Sequence, residues 1–175
     1  VVKRHRLGAE QGDSNSQYNL GLCYYNSEGV PEDYKEAVKW FQKAAEQGYR
    51  DAQNEIGTCY YYGRGVEQDY EEAYKWHRKA AEKGHIDSQF SMGVFYYKGV
   101  DMDYEKAVKW FRKAAEQGHG FAQYHLGLCY YYGDGVGQNY KEAEKWFEKA
   151  LEQGERIALS YLEMIYDSSE IQMTA

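Results

Sequence analysis

Proline occurs once in the 175 residues and cysteine three times. The thiols at Cys23, Cys59 and Cys129 form no CxxC pair, which excludes a zinc ribbon and a disulfide framework and leaves free, packed thiols as the expectation. A basic surplus is also missing. Asp and Glu number 28 against 21 Lys and Arg, a formal net charge of −7, whereas binding to a phosphate backbone needs clustered cations. Nucleic acid is therefore not an expected partner. No apolar run reaches the roughly 20 residues that cross a bilayer, and no charged-then-apolar leader opens the chain, so the sequence reads as soluble and without a membrane span. It does not open on Met, and its compartment stays undetermined. HExxH, GxSxG, SxxK, Walker and EF-hand patterns are all absent, so no nucleophile, base or metal cage can be read. We expect no enzyme activity, no catalytic residue, no metal and no cofactor.

What is abundant is tyrosine, 20 residues, and it recurs in register. "YKEAVKWFQKAAEQG" (34–48), "YEEAYKWHRKAAEKG" (70–84), "YEKAVKWFRKAAEQG" (104–118) and "YKEAEKWFEKALEQG" (140–154) superpose, with Trp at 40, 76, 110 and 146. Between them "SQYNLGLCYY", "AQNEIGTCYY", "SQFSMGVFYY" and "AQYHLGLCYY" align Gly21, Gly57, Gly93 and Gly127. A period of 36, 34 and 36 residues signals a solenoid, because one such unit cannot bury its apolar face alone. The expected organisation is a single solenoid domain. Residues 1–12 end a preceding repeat helix, 13–48, 49–84, 85–118 and 119–154 are four repeats, 155–167 is a capping helix and 168–175 a frayed tail.

Each unit reads as a helical hairpin, giving an all-α fold. In the second helix Tyr70, Ala73, Trp76, His77, Ala80 and Ala81 share one face, expected to be buried, and Glu71, Glu72, Lys75, Arg78, Lys79 and Glu82 the other. Asp33, Asp69, Asp103 and Asn139 read as N-caps; Glu36, Glu72 and Glu142 complete capping boxes, while Lys106 stands in the third. Gly48, Gly84, Gly118 and Gly154 end these helices at C′. "GRGV" joins two helices and lacks a phosphate loop's strand and its GK[ST] end. Gly63, Gly65, Gly133 and Gly135 therefore let the chain reverse while Val66 and Val136 pack beneath the turn.

With Gly57 as origin of a helical wheel, Ala52, Ile56 and Tyr60 lie beside it, a packing seam that Tyr24, Tyr96 and Tyr130 share. Their hydroxyls should find partners at the rim. The opposite arc supplies the candidate partner-binding face: Tyr18, Leu22 and Tyr25; Asp51, Asn54, Glu55, Tyr61 and Tyr62; Asp87, Phe90, Val94 and Tyr97; and Tyr124, His125, Leu128, Tyr131 and Tyr132. An aromatic second face suits ligand contact. It equally suits rings packed side by side between neighbouring first helices about 8–10 Å apart, and the sequence leaves both open. His77 stands where other repeats carry Phe41, Phe111 and Phe147, and reads as a packed ring. His85 and His119, one per repeat, form no metal pair. Gln17, Gln53, Gln89 and Gln123 should bond backbone between hairpins.

The pattern Ala-Gln-x3-Leu-Gly-x2-Tyr-x2-Gly-x-Gly-Val-x2-Asp followed by Ala, Trp-Phe, Ala-Ala and Gly, nearly complete in "AQNEIGTCYYYGRGVEQDYEEAYKWHRKAAEKG" (52–84), resembles the Sel1-like repeat family, cousins of tetratricopeptide repeats. The resemblance covers nearly the whole chain. It implies a right-handed α/α superhelix of about four complete helix-turn-helix repeats, with partial repeats at both ends and the first helices lining a concave side. It also implies an adaptor role, and a bacterial style in which cytoplasmic, periplasmic and secreted locations all occur. Some relatives bridge their helices with paired cysteines; this chain's single cysteine per repeat departs from them, about 8–10 Å between neighbours being beyond disulfide reach. The leading expectation is a scaffold that binds a peptide or protein segment on the concave aromatic face. Asp51, Glu55 and Asp87 there favour a partner with basic groups. A small-molecule or glycan sensor using the same groove, or a structural part of a longer array, are the rivals.

Overall fold

The computed structural model describes residues 2–99 and 102–173, with side chains to residue 167 in the last helix. All regular structure among them is helical: α1 (Val2–Glu10), α2 (Ser14–Tyr25), α3 (Tyr34–Glu46), α4 (Arg50–Tyr62), α5 (Tyr70–Glu82), α6 (Ile86–Lys98), α7 (Tyr104–Glu116), α8 (Gly120–Tyr132), α9 (Tyr140–Glu152) and α10 (Ala158–Met173). This is an all-α repeat fold. The chain divides into two compact units, Val1–Ser88 and Gln89–Ala175. In the first, α2 packs on α3 and α4 on α5, with α1 against α2 and α3 against α4; in the second, α8 packs on α9, flanked by α7 and α10.

The caps form where the sequence puts them. Asp33 Oδ1 accepts from the Glu36 N–H at 3.0 Å, Asp69 Oδ1 from the Glu72 N–H at 3.0 Å, Asp103 Oδ1 from the Lys106 N–H at 2.9 Å and Asn139 Oδ1 from the Glu142 N–H at 3.1 Å. The reciprocal half of the capping box does not form. Each capping residue's own N–H instead donates to a tyrosine carbonyl of the preceding helix, Tyr24, Tyr60, Tyr96 and Tyr130, at 3.0, 3.0, 2.9 and 2.8 Å respectively. The glutamates are then free to reach lysines one turn on, as Glu72 does to Lys75 at 2.9 Å. Two histidines cap first helices: His85 Nδ1 accepts from the Ser88 N–H at 3.2 Å and His119 Nδ1 from the Ala122 N–H at 3.1 Å.

The second helices bury the expected stripe, Ala73, Trp76, His77, Ala80 and Ala81 in α5, except at its first residue: Tyr70 is 55% exposed, its ring standing edge-on to Tyr61 rather than in the core. Their outer face is less purely solvated than the pattern implied, because Lys43, Lys79, Lys113 and Lys149 lay their ammonium groups over Trp40, Trp76, Trp110 and Trp146 at 4.3, 3.9, 4.3 and 4.6 Å from the ring centres. Each such contact is worth about 0.5–1 kcal/mol on an exposed surface.

Where the two helices of a hairpin cross, one ring lies flat on one glycine. A methyl at Gly21 would fall 2.6 Å from the Phe41 ring, at Gly57 2.9 Å from His77 and at Gly127 2.6 Å from Phe147, and Gly93 meets Phe111 in the same way. The seam tyrosines sit at the edge of this contact, half-buried, and two of their hydroxyls find rim partners: Tyr24 accepts from Arg6 at 2.7 Å and Tyr130 from Arg112 at 2.6 Å. Gly65 and Gly135 have positive φ, 75° and 69°, and a Cβ added to either would fall 2.3 Å from the Tyr34 or Tyr104 carbonyl oxygen at the start of the preceding second helix, so any side chain there is doubly excluded.

The last helix corrects one expectation. Residues 168–173 continue α10 to Met173 where a frayed tail was expected; "DSSEIQM" holds neither Gly nor Pro to stop a helix already begun.

Burial of the His77 imidazole, aided by His85, lowers its pKa from 6.5 to about 4. The unfolded chain therefore binds a proton that the folded chain refuses between those values, and stability is present above pH 6.5 and drains away as the pH falls. The slope is on the order of 1 kcal/mol per pH unit for one such group. His77→Phe, the residue of the other repeats, should fold and show a shallower loss of urea midpoint between pH 7 and pH 5 than the parent. Gly127→Ala should lower stability by about 1–3 kcal/mol in the same assay, since the Phe147 ring must leave its rotamer.

Candidate functional site

The candidate face lies on the first helices of each hairpin. In unit Val1–Ser88 it is built from α2, α4 and the start of α6. Tyr18 packs on Phe41 and Tyr49, ring centres 5.9 and 5.1 Å apart, and its phenol is pushed up to about 12, first by burial and then by Glu55 and Asp51. Leu22 and Tyr25 lie partly buried on the same core, and the Tyr25 hydroxyl accepts from the Arg64 guanidinium. Asn54 is buried; its Oδ1 accepts from Ser88 Oγ at 2.8 Å and its Nδ2 donates to Glu55 Oε1 at 3.4 Å. Glu55 is half-buried, and its carboxyl is pushed up chiefly by that burial, then by Asp87 and Asp51, against the lowering effect of Asn54. Asp51 meets Arg50 Nε at 3.3 Å and His85 Nε2 at 3.8 Å. Tyr61 stands edge-on to Tyr62 and Tyr70, while Tyr62 is 60% exposed with Arg64 over its ring at 5.1 Å.

In unit Gln89–Ala175 the face is aromatic and imidazole-rich instead. Phe90 stacks on His119 at 4.7 Å, and His125 on Phe111 at 5.1 Å. Burial, with Lys98 and His119 adding, lowers the His125 pKa to about 4, so the ring is neutral at pH 7. Val94 and Tyr97 are half-buried, and the Tyr97 hydroxyl donates to Asp134 Oδ2 at 2.8 Å. Tyr124 and Leu128, each 9% exposed, belong to the core of this unit with Phe147 and Leu162. Tyr131 is wedged edge-on among Tyr132, Tyr140 and Tyr161, and Tyr132 is 55% exposed.

The structure thus sorts the face by depth. Asn54, Tyr124 and Leu128 are packed within their own unit and present nothing to a partner. Asp87, Tyr62 and Tyr132 are exposed, and the rest form half-buried walls between them. Arg64 and Asp134 belong to the face as well and were not foreseen: each follows the first turn glycine of its repeat, and each is reached by a tyrosine of the repeat before, Tyr25 and Tyr97. The variable letter in "GRGV" against "GDGV" was the available signal. The cysteines are free and buried, and Cys59 and Cys129 are pushed up to about 12 by burial, far from the reactive thiolate range. Among the described residues no group of three His, Cys, Asp or Glu side chains is placed to hold a metal, and no helix is long and apolar enough to cross a membrane.

The Sel1 repeat description matches residues 14–49, 50–85, 86–119 and 120–155, one match per hairpin. The chain belongs to the Sel1 repeat family. A protective antigen of uropathogenic Escherichia coli with the SLR fold is 39% identical over 97% of this chain, with a TM-score of 0.92. A Sel1 repeat protein from Oxalobacter formigenes is 35% identical over 94%, with a TM-score of 0.85. The chain spans 37% and 48% of those two proteins' lengths. A shorter match, 46% over 44 residues or 25% of the chain, reaches the DAP3-binding cell death enhancer 1 of Rattus norvegicus, of which it covers 9%. Sel1 repeat proteins are generally non-enzymatic protein-interaction scaffolds.

The depth of each ring on this Sel1 face has a measurable consequence. Tyr124→Ala and Leu128→Ala should each cost about 2–5 kcal/mol of stability, as core truncations do, while Tyr62→Ala should stay within about 0.5 kcal/mol of the parent. Urea unfolding followed by tryptophan fluorescence separates them.

Proposed function

We propose that the chain is an adaptor that holds an extended segment of a partner protein along its first helices, and that the face of unit Val1–Ser88 receives a Lys or Arg side chain of that segment. The observation that carries this reading is Glu55, a half-buried carboxylate with Asp51 and Asp87 close enough to push its pKa further up. An incoming cation would offset the burial cost and the repulsion among the three carboxylates by direct attraction, and would fix the register of the segment, at the cost of its own desolvation. Around it Tyr18, Leu22 and Tyr25 supply a hydrophobic wall, and Tyr62, exposed beside Arg64, supplies a rigid aromatic anchor of the kind enriched in hot spots. In unit Gln89–Ala175 the corresponding wall, Phe90, Val94, Tyr97 and His125 with Tyr131 and Tyr132 at its edge, is aromatic, with a neutral His125 ring at pH 7 and one charge of each sign beside it, Asp134 and Lys98, and suits apolar side chains. The surplus of acid over base speaks against nucleic acid as the partner.

Titrating a peptide array and a glycan set against the chain tests this. Peptides with Lys or Arg beside an apolar residue should bind, Glu55→Gln and Tyr62→Ala should each weaken them by at least about 1 kcal/mol, and added salt should slow association. Binding of glycans alone, or peptide affinity indifferent to both substitutions, would contradict the reading.

A further inference from the structure

The residue that caps α6 is a histidine with both ring nitrogens placed against other groups. His85 Nδ1 accepts from the Ser88 N–H at 3.2 Å, so the neutral ring carries its proton on Nε2, and Nε2 stands 3.8 Å from Asp51 Oδ1 on α4. The His85 side chain is 14% exposed, which leaves it within reach of solvent protons. In the first repeat Asp13 fills the same position and accepts from the Ser16 N–H at 2.7 Å. Capping here therefore asks for an acceptor and not for a ring that titrates near neutrality.

Ser88 ties this ring to the candidate face. Its Oγ donates to Asn54 Oδ1 at 2.8 Å and lies 3.4 Å from His77 Nδ1, and Asn54 Nδ2 in turn donates to Glu55 Oε1 at 3.4 Å. Asn54 stands where the other repeats carry Tyr18, Phe90 and Tyr124, and Ser88 where the second and fourth carry Ala52 and Ala122, so the string of polar groups is a departure from the repeat. The charged and titratable groups around His85 are Asp51 and Arg50 of α4, Asp87 of α6 and, behind Ser88, His77 of α5. Burial holds the His85 pKa below its usual 6.5, with Arg50 adding, against the opposite pull of Asp87 and Asp51. The ring is neutral at pH 7 and takes up a proton in mild acid.

We propose that His85 is a proton switch on the partner-binding face of unit Val1–Ser88, releasing a Lys- or Arg-bearing segment when the surroundings turn mildly acid. This rests on the reading of that face as a receiver of cationic side chains and adds its regulation. Protonation changes two things at once. A protonated Nδ1 cannot accept, so the Ser88 N–H loses its cap and the first turn of α6, which carries Asp87, is loosened. The new positive charge also stands beside Asp51 and competes there with the cation of the partner. Both effects weaken binding as the pH falls. By linkage the converse holds: a bound cation disfavours the charged ring and lowers the His85 pKa by the factor that protonation takes from the affinity.

The test uses the whole chain and the tightest-binding lysine-containing peptide of the array, acetylated and amidated so that it does not itself titrate between pH 5 and pH 8. Its affinity, measured by calorimetry, should fall at least about five-fold between pH 7.5 and pH 5.5. His85→Asn keeps a capping acceptor but takes up no proton; it should bind like the parent at pH 7.5 and lose less than about two-fold over the same range. In the free chain the Ser88 amide resonance should follow the His85 titration by NMR, and saturating peptide should move that titration to lower pH by at least about half a unit. If no lysine-containing peptide binds at pH 7.5, the partner reading falls and this inference with it. Binding at pH 7.5 with the same pH dependence in parent and variant, a His85 titration that peptide leaves in place, or a Ser88 amide that ignores it would overturn this inference alone.

Discussion

Every hairpin of this protein depends on one contact, a planar ring of the second helix laid on a glycine of the first. A helix surface with no Cβ at that point lets the partner helix come close enough for the ring to meet backbone, and the ring then fills the groove that a side chain would have occupied. The alanines around it, Ala52 on one helix and Ala73, Ala80 and Ala81 on the other, are all buried and keep the approach close along its length. Because the seam is made of small residues and one ring, it leaves little room for the large side chains of the first helix. These are displaced to its edge and to its far side, where the tyrosines stand, while alanine is the commonest residue of the core.

That displacement connects packing to function. Several far-side rings are held edge-on by the tyrosine that starts the second helix of their hairpin, as Tyr25 is by Tyr34 and Tyr61 by Tyr70, so they form a wall rather than a loose fringe, and a wall with few rotamers left to lose is a good surface for a partner. The repeats supply the wall; what differs between repeats supplies the chemistry. Glu55 replaces the Asn19 and His125 of other repeats, His77 replaces phenylalanine, Arg64 and Asp134 alternate at one turn position, and Lys83 stands where the other repeats carry Gln47, Gln117 and Gln153. In a repeat protein a departure from register is where specific recognition can be written, since the shared residues are already committed to the seam.

Much of this was legible in the sequence because the repeat shows each position four times over. The helix ends followed from Asp33, Asp69, Asp103 and Asn139, and the seam followed from Gly21, Gly57, Gly93 and Gly127 with the small and apolar residues beside them; that each glycine meets one ring of the second helix came only with the structure. What escaped was set by neighbours that a helical wheel does not contain. The wheel puts Asn54, Tyr124 and Leu128 on the same arc as Tyr62, and only the adjacent helix decides that the first three are covered and the last is not. The glutamates of the capping boxes were assigned to N–H groups that a tyrosine carbonyl of the previous helix had already taken. The tail from residue 168 was expected to fray as a chain end, although "DSSEIQM" holds no helix-stopping residue and α10 continues to Met173. Arg64 and Asp134 were overlooked because their turn was explained by its glycines.

The claim on which the rest stands is that ring and glycine act as one unit. A double-mutant cycle on Gly127→Ala and Phe147→Leu, measured by urea unfolding, tests it most directly, because a smaller, non-planar side chain at 147 makes room for the added methyl. The account predicts that the double variant is more stable than the sum of the single losses implies, by at least about 1 kcal/mol. Strict additivity of the two losses, within about 0.3–0.5 kcal/mol, would contradict it.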